Sequence, residues 1–234
     1  MPLPSRLRGH ALTVDDERAP RMRIFYLHGF ASSARSSKAA FFAGRLREHG
    51  LALLAPDLNE PDFSTLTITR MIGQVTAAID ARSGEPVVLI GSSLGALVAV
   101  QAAIARPARV SRLILLAPAL DFSGNRTRDL GDRGLAEWER TGQLNVFHYG
   151  YGRMMPLHYG LYTDACGYDC VHARLSMPVQ IFQGRLDAAV DPGMVERWAS
   201  TRSNVELHLL DDDHQLLKSL DVIWAEAARF LGVR

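Results

Sequence analysis

Residues 86–95 read PVVLIGSSLG, and this stretch decides the fold. The apolar, largely β-branched run at 87–90 has the continuous hydrophobicity of a strand buried on both faces. It ends in Gly91-Ser92-Ser93-Leu94-Gly95, and a small-residue helical pattern follows at 94–105, closed by Pro107. Strand, sharp turn and helix around a G-x-S-x-G centre form a nucleophile elbow, with Ser93 at its apex. A serine hydroxyl is a weak nucleophile until a neighbouring base takes its proton, and a tight turn exposes it to that base. Gly91 and Gly95 flank the turn because side chains there would collide with each other and with neighbouring strands.

An elbow serine calls for an acid and then a histidine further along the chain. Downstream, a second apolar strand at 179–182 opens into Gly184-Arg185-Leu186-Asp187, and a third at 205–210 exits into a loop carrying His214. Both candidates sit just past the carboxyl end of a strand, where loops of a parallel sheet converge on ligands. Asp187 would orient the His214 imidazole and stabilise its charged form. Asp191 and Asp121, which also follow strand exits, are the rival acids. The oxyanion of an acyl intermediate needs two backbone N–H donors, and Leu94 and Phe30 are placed to supply them. Leu94 also opens a helix, whose positive end favours negative charge. His28 is read as a structural brace of its loop, and His10, His49, His148, His158, His172 and His208 as structural or surface residues.

The chain resembles the α/β hydrolases, and among them the compact bacterial serine esterases of the YqiA type. The residues that carry the resemblance are IFYLHGFASSARSSKAAFF at 24–42, the elbow GSSLG, the acid turn GRLDAAVDP at 184–192 and the late DDHQL. They frame the chain from about residue 23 to 230. The resemblance implies an α/β-hydrolase fold with a mostly parallel, doubly wound sheet, and an acyl-enzyme on Ser93 with Asp187 and His214. The segment between Pro118 and Met177 is longer than in the most compact of these esterases.

Strand and helix alternate as that fold requires. Strands are expected at 22–28, 51–55, 86–90 and 110–117. Helices are expected at 36–49, 67–82, 94–105, 192–200 and about 215–231, with a possible edge strand at 11–14. Alternation stops at 119–176, a stretch rich in Gly, Arg, Tyr and Met that shows no clean strand periodicity. Short helices at 135–141 and 165–174 fit its pattern, and its position makes it a lid over one α/β-hydrolase domain spanning 1–234. Trp138, Phe147, Tyr149, Met154 and Met155, with Tyr151 and Tyr162, are the candidates to line an acyl or aromatic pocket. Arg126, Arg128, Arg133 and Arg153 near its mouth would suit a pantetheine ester.

With 234 residues and 47% hydrophobic content, the chain can bury a large core. Its net charge of +1, with acids and bases interleaved, gives no electrostatic case for nucleic acid or an anionic membrane. No apolar run is long enough to span a bilayer, and the first residues lack the apolar core of a secretory signal, so a cytoplasmic location is expected. Cys166 and Cys170 have neither zinc-site nor disulfide-framework spacing. No metal and no cofactor are expected. The expected partner is a small ester or thioester.

Overall fold

A computed structural model gives the fold and describes residues 22–81 and 84–233; the possible strand at 11–14 lies outside them. Six strands form one parallel sheet in the order β2-β1-β3-β4-β7-β8. They are β1 (Arg23–Leu27), β2 (Leu53–Leu54), β3 (Val87–Ser92), β4 (Val110–Leu116), β7 (Val179–Gly184) and β8 (Val205–Leu210). The central strands are largely apolar because helices cover both faces. Alternate side chains divide between two cores. Ile24, Tyr26, Val88, Ile90, Ile114, Leu116 and Phe182 pack with α1 (Ser37–Glu48) and α7 (Leu220–Leu231). Phe25, Leu27, Val87, Leu89, Leu113, Leu115, Val179 and Ile181 pack with α2 (Ile68–Asp80), α3 (Leu94–Ala105) and α6 (Pro192–Ser200).

The helix starts follow their capping residues. Ser36 Oγ accepts from Ala39 N at 3.3 Å at α1, and Thr67 Oγ1 accepts from Arg70 N at 3.1 Å at α2. The α7 helix begins at Leu220, later than its apolar pattern suggests, since residues 211–219 are held in the turns that carry His214. The α3 helix is buried nearly all round, and its alanines let it lie close against the sheet.

The region between β4 and β7 differs from its sequence reading. It contains a 20-residue helix α4 (Phe122–Thr141), kinked at Gly131 where φ is 63°. The expected helix at 135–141 is the end of this longer one. An antiparallel hairpin follows, β5 (Gln143–His148) against β6 (Arg153–His158), where no strand was expected. The short helix α5 covers Gly160–Ala165, and residues 166–174 run as turns rather than as a helix. Gly167 in that stretch is a weak helix former, which leaves α5 short.

Candidate active site

The chain leaves β1 for the edge strand β2 and then crosses back to β3 on the other side of β1. That reversal opens a crevice at the carboxyl ends of β1 and β3, where open α/β sheets bind ligands. Ser93 stands at the end of β3 with φ 53° and ψ −117°, a strained conformation for a residue with a side chain. Its N–H donates to Leu116 O at 2.9 Å, while its carbonyl accepts from Ala96 N at 2.9 Å and Ala119 N at 3.2 Å. The turn is tight enough to need its glycines: a Cβ on Gly95 would lie 2.1 Å from Leu27 O, and one on Gly91 would lie 2.6 Å from Ala96 Cα.

Ser93 occupies the N-cap of α3 yet makes no side-chain cap bond. Its Oγ lies 3.0 Å from His214 Nε2 instead, and His214 Nδ1 lies 2.8 Å from Asp187 Oδ2. The Leu94 N–H, in the first turn of α3, has no partner within the helix. The Asp187 side chain is fully buried and accepts from Ala189 N and Val190 N at 2.9 Å each and from Gln183 Nε2 at 2.8 Å. Burial pushes its pKa up, but the bonds from His214, Val190 and Gln183 outweigh that and hold the carboxyl below its usual value. The rival acids are occupied elsewhere. Asp121 Oδ1 caps α4 through Gly124 N at 3.0 Å, and Asp191 Oδ1 caps α6 through Gly193 N at 2.9 Å.

The acid turn and the histidine loop press on each other, since a Cβ on Gly184 would meet Asp212 O at 2.4 Å. From the far side, Lys38 of α1 reaches the same loop, and its Nζ donates to Gln215 O at 2.9 Å. Burial pushes the Lys38 ammonium down to about 8, against the pull of Asp187, Asp213 and Asp212. Between this value and the ordinary lysine value the unfolded chain binds the extra proton, so stability rises with pH across that window. The penalty is fully present below about 8. Replacing Lys38 by Met should therefore raise unfolding free energy at pH 7 by about 2 kcal/mol, after allowance for the lost Gln215 bond. Urea titrations at pH 7 and 10 check this: the gain should shrink at pH 10, and a loss of stability at pH 7 would contradict it.

A cleft of about 1150 Å³ surrounds Ser93 and His214. Phe30, Phe122, Val146, Phe147 and Tyr149 supply apolar lining, so β5 and α4 form its roof. Of the seven expected lining residues, Phe147 and Tyr149 are present and five are not. Trp138 is buried, donates Nε1–H to Leu157 O at 3.1 Å and packs on Tyr159 and Tyr162. Met154 is exposed outside the cleft, and Met155 packs against the core beneath the hairpin. Among the other aromatics, Tyr151 stacks on buried His148, and Tyr162 lies 3.0 Å from Thr127 Oγ1. His28 is buried in the β1 loop, where its Nε2 accepts from Leu58 N at 2.9 Å. Arg126, one of the four arginines expected at the mouth, lines the cleft, as does Lys38, for which no signal was present in the sequence.

Among the described residues, Glu206, His208 and Glu226 could bring three metal ligands within 4.8 Å of one another, on β8 and α7. His208 Nε2 there already lies 2.8 Å from Glu206 Oε1. Burial pushes the Cys170 thiol up to about 12, so it is not poised for chemistry, while Cys166 is exposed. No described helix is long and apolar enough to cross a membrane.

The sheet order, the elbow and the crevice together define an α/β-hydrolase fold. The chain belongs to the uncharacterised protein family UPF0227, whose model matches residues 23–230. The Mycobacterium tuberculosis protein "Lipase LipV" is 33% identical over 120 residues, which are 49% of this chain and 44% of that protein. The chain thus spans under half the length of that relative. The bovine "Palmitoyl-protein thioesterase ABHD10, mitochondrial" is 24% identical over 85% of this chain and 69% of its own length. A putative hydrolase from Agrobacterium vitis superposes with a TM-score of 0.79 at 24% identity, covering 92% of this chain and 88% of the other.

Proposed function

We propose that the protein is a serine hydrolase that cleaves carboxylic esters of small substrates through an acyl-enzyme on Ser93. The observation that carries this reading is the continuous path from Ser93 Oγ through both ring nitrogens of His214 to the buried Asp187 carboxylate, 3.0 Å and 2.8 Å. Ser93 Oγ attacks the ester carbonyl and its proton passes to His214 Nε2. The resulting oxyanion takes hydrogen bonds from the N–H groups of Leu94 and Phe30. Collapse expels the alcohol, which receives the proton from His214, and leaves the acyl group on Ser93. Water then attacks, again giving its proton to His214, and releases the acid with Ser93 restored. Asp187 holds the Nδ1–H tautomer and remains ionised. No cofactor or metal enters these steps. The helices and hairpin between β4 and β7 act as a lid.

Short to medium acyl groups are the expected substrates, because the roof laid over the cleft by α4 and β5 would stop a longer chain from gaining about 0.8 kcal/mol per buried methylene. In a C2 to C16 series of p-nitrophenyl esters, kcat/KM is expected to peak at or below about C8. A continued rise to C16, or a jump above the micelle threshold, would overturn this preference. A second reading, a thioesterase acting on longer acyl chains, is favoured by Leu186, Leu217, Phe147 and Tyr149, which stand exposed around the mouth. The name of the bovine relative points the same way. Acyl-CoA thioesters of matched chain length, run beside the esters, separate the two readings.

A further inference from the structure

The charges around the cleft are unequal. Its described lining carries the cations Arg35, Lys38 and Arg126 but a single carboxylate, Asp213. Lys38 and Asp213 are already committed to the histidine loop: Lys38 holds Gln215 O, and Asp213 Oδ1 accepts from Gln215 N at 2.8 Å. Arg35, exposed at the rim, and Arg126 remain. Of the four arginines that the sequence places near the mouth, Arg126 is the one that lines the cleft.

Arg126 is held in place more firmly than a solvated arginine. Its guanidinium carbon lies over the rings of Phe30 and Phe122, 5.7 Å and 5.5 Å from their centroids. Its Nη2 bonds to Asp129 Oδ2, while its buried Nε has no hydrogen-bond partner among the described residues. A fork with five donors is thus only partly used. The location matters as much as the deficit. Phe30 belongs to the turn that faces the nucleophile, and a Cβ on its neighbour Gly29 would lie 3.2 Å from Ser93 Cβ. Arg126 therefore overlies the turn beside which an acyl group on Ser93 would sit.

We propose that this cleft selects substrates carrying an anionic oxygen group, carboxylate or phosphate, near the scissile carbonyl, and that Arg126 determines this selectivity. The proposal rests on Ser93 as the nucleophile and adds to it the charge of the substrate. A carboxylate or phosphate accepts from a planar guanidinium through charge-assisted bonds, which a neutral ester of equal size cannot make. Arg35 at the rim adds to the attraction of anions towards the mouth.

Two matched pairs test the proposal and separate the sources of charge. Monomethyl succinate differs from methyl butyrate by a carboxylate in place of the terminal methyl. Methyl phosphoglycolate differs from methyl methoxyacetate by a phosphoryl group in place of the ether methyl, close to the scissile carbonyl. At low salt, at least one anionic member should exceed its neutral partner in kcat/KM by about tenfold, mainly through KM. The advantage should shrink at 0.5 M NaCl, fall towards unity in Arg126→Gln, and persist in part in Arg126→Lys. Ratios at or below one in both pairs, or ratios unchanged by Arg126→Gln, would overturn it. Thermal unfolding shows whether the variant is folded, and the Arg126→Lys variant and the salt dependence supply the test if it is not. A serine-reactive phosphonate reports separately on Ser93. Labelling at Ser93 with no anionic preference sinks this inference alone, whereas neither labelling nor turnover removes the catalytic reading with it.

Discussion

Ser93→Ala is expected to lower kcat on any ester the protein hydrolyses by at least ~10³-fold, with the fold intact. The hydroxyl makes no cap bond to α3, so its removal takes away the nucleophile and little else. Ser92→Ala is the informative control. Ser92 is buried at the end of β3 and bonds to the buried Tyr26, so its loss should register in stability and far less in turnover. Steady-state kinetics with thermal unfolding on both variants checks this. Comparable losses at the two serines, or phosphonate labelling of Ser92, would move the nucleophile.

Asp187→Asn should cost ~10³ to 10⁴-fold in kcat. The carboxylate accepts four bonds, from Ala189 N, Val190 N, Gln183 Nε2 and His214 Nδ1. An amide has one oxygen to offer these four donors, and its NH2 group set towards His214 would favour the tautomer with the proton on Nε2. That tautomer cannot accept the Ser93 proton. Asp121→Asn and Asp191→Asn touch helix caps and the ion pairs with Arg128 and Arg197, away from His214, and should leave most of the turnover. A larger kinetic effect at Asp121 than at Asp187 would reassign the acid. Because the Asp187 carboxyl is held below its usual value, its share of stability is present above the ordinary carboxylate range and is lost as pH falls through its own pKa.

Much of this architecture was legible because its signals are local. The elbow strand, α3 and α6 were placed within a residue or two, since Pro107, the Asp191-Pro192 pair and the apolar runs mark their ends within a few residues. The β5–β6 hairpin was missed for an equally physical reason. Leu144, Val146 and His148 alternate inward, but Phe147 on the opposite side is itself apolar, which hides the period. Its partner strand carries Pro156, a residue that argues against strands except at edges, and a two-stranded ribbon is all edge. The order of the candidate serine, acid and histidine could be read from the chain because each follows a strand exit. Lys38 could not, since Gln215 lies 177 residues away and the contact arises only when α1 packs beside the histidine loop. Arg126 needed the rings of Phe30 and Phe122 to set it apart from its arginine neighbours.

The hairpin tip is fastened to the loop after β1 by a bond from Tyr149 N to Ala31 O, 2.8 Å long, one residue beyond Phe30. The same loop is pinned from below by Asn59 Nδ2 on Ser32 O at 2.8 Å. Roof and floor are thereby mechanically interlocked. A swing that lifts the tip to admit a bulky molecule must either snap the Tyr149 tether or pull the Phe30 peptide with it. The aperture of the cleft and the position of the proposed Phe30 donor then share one coordinate, so a hairpin held open would also carry that donor out of register with Ser93.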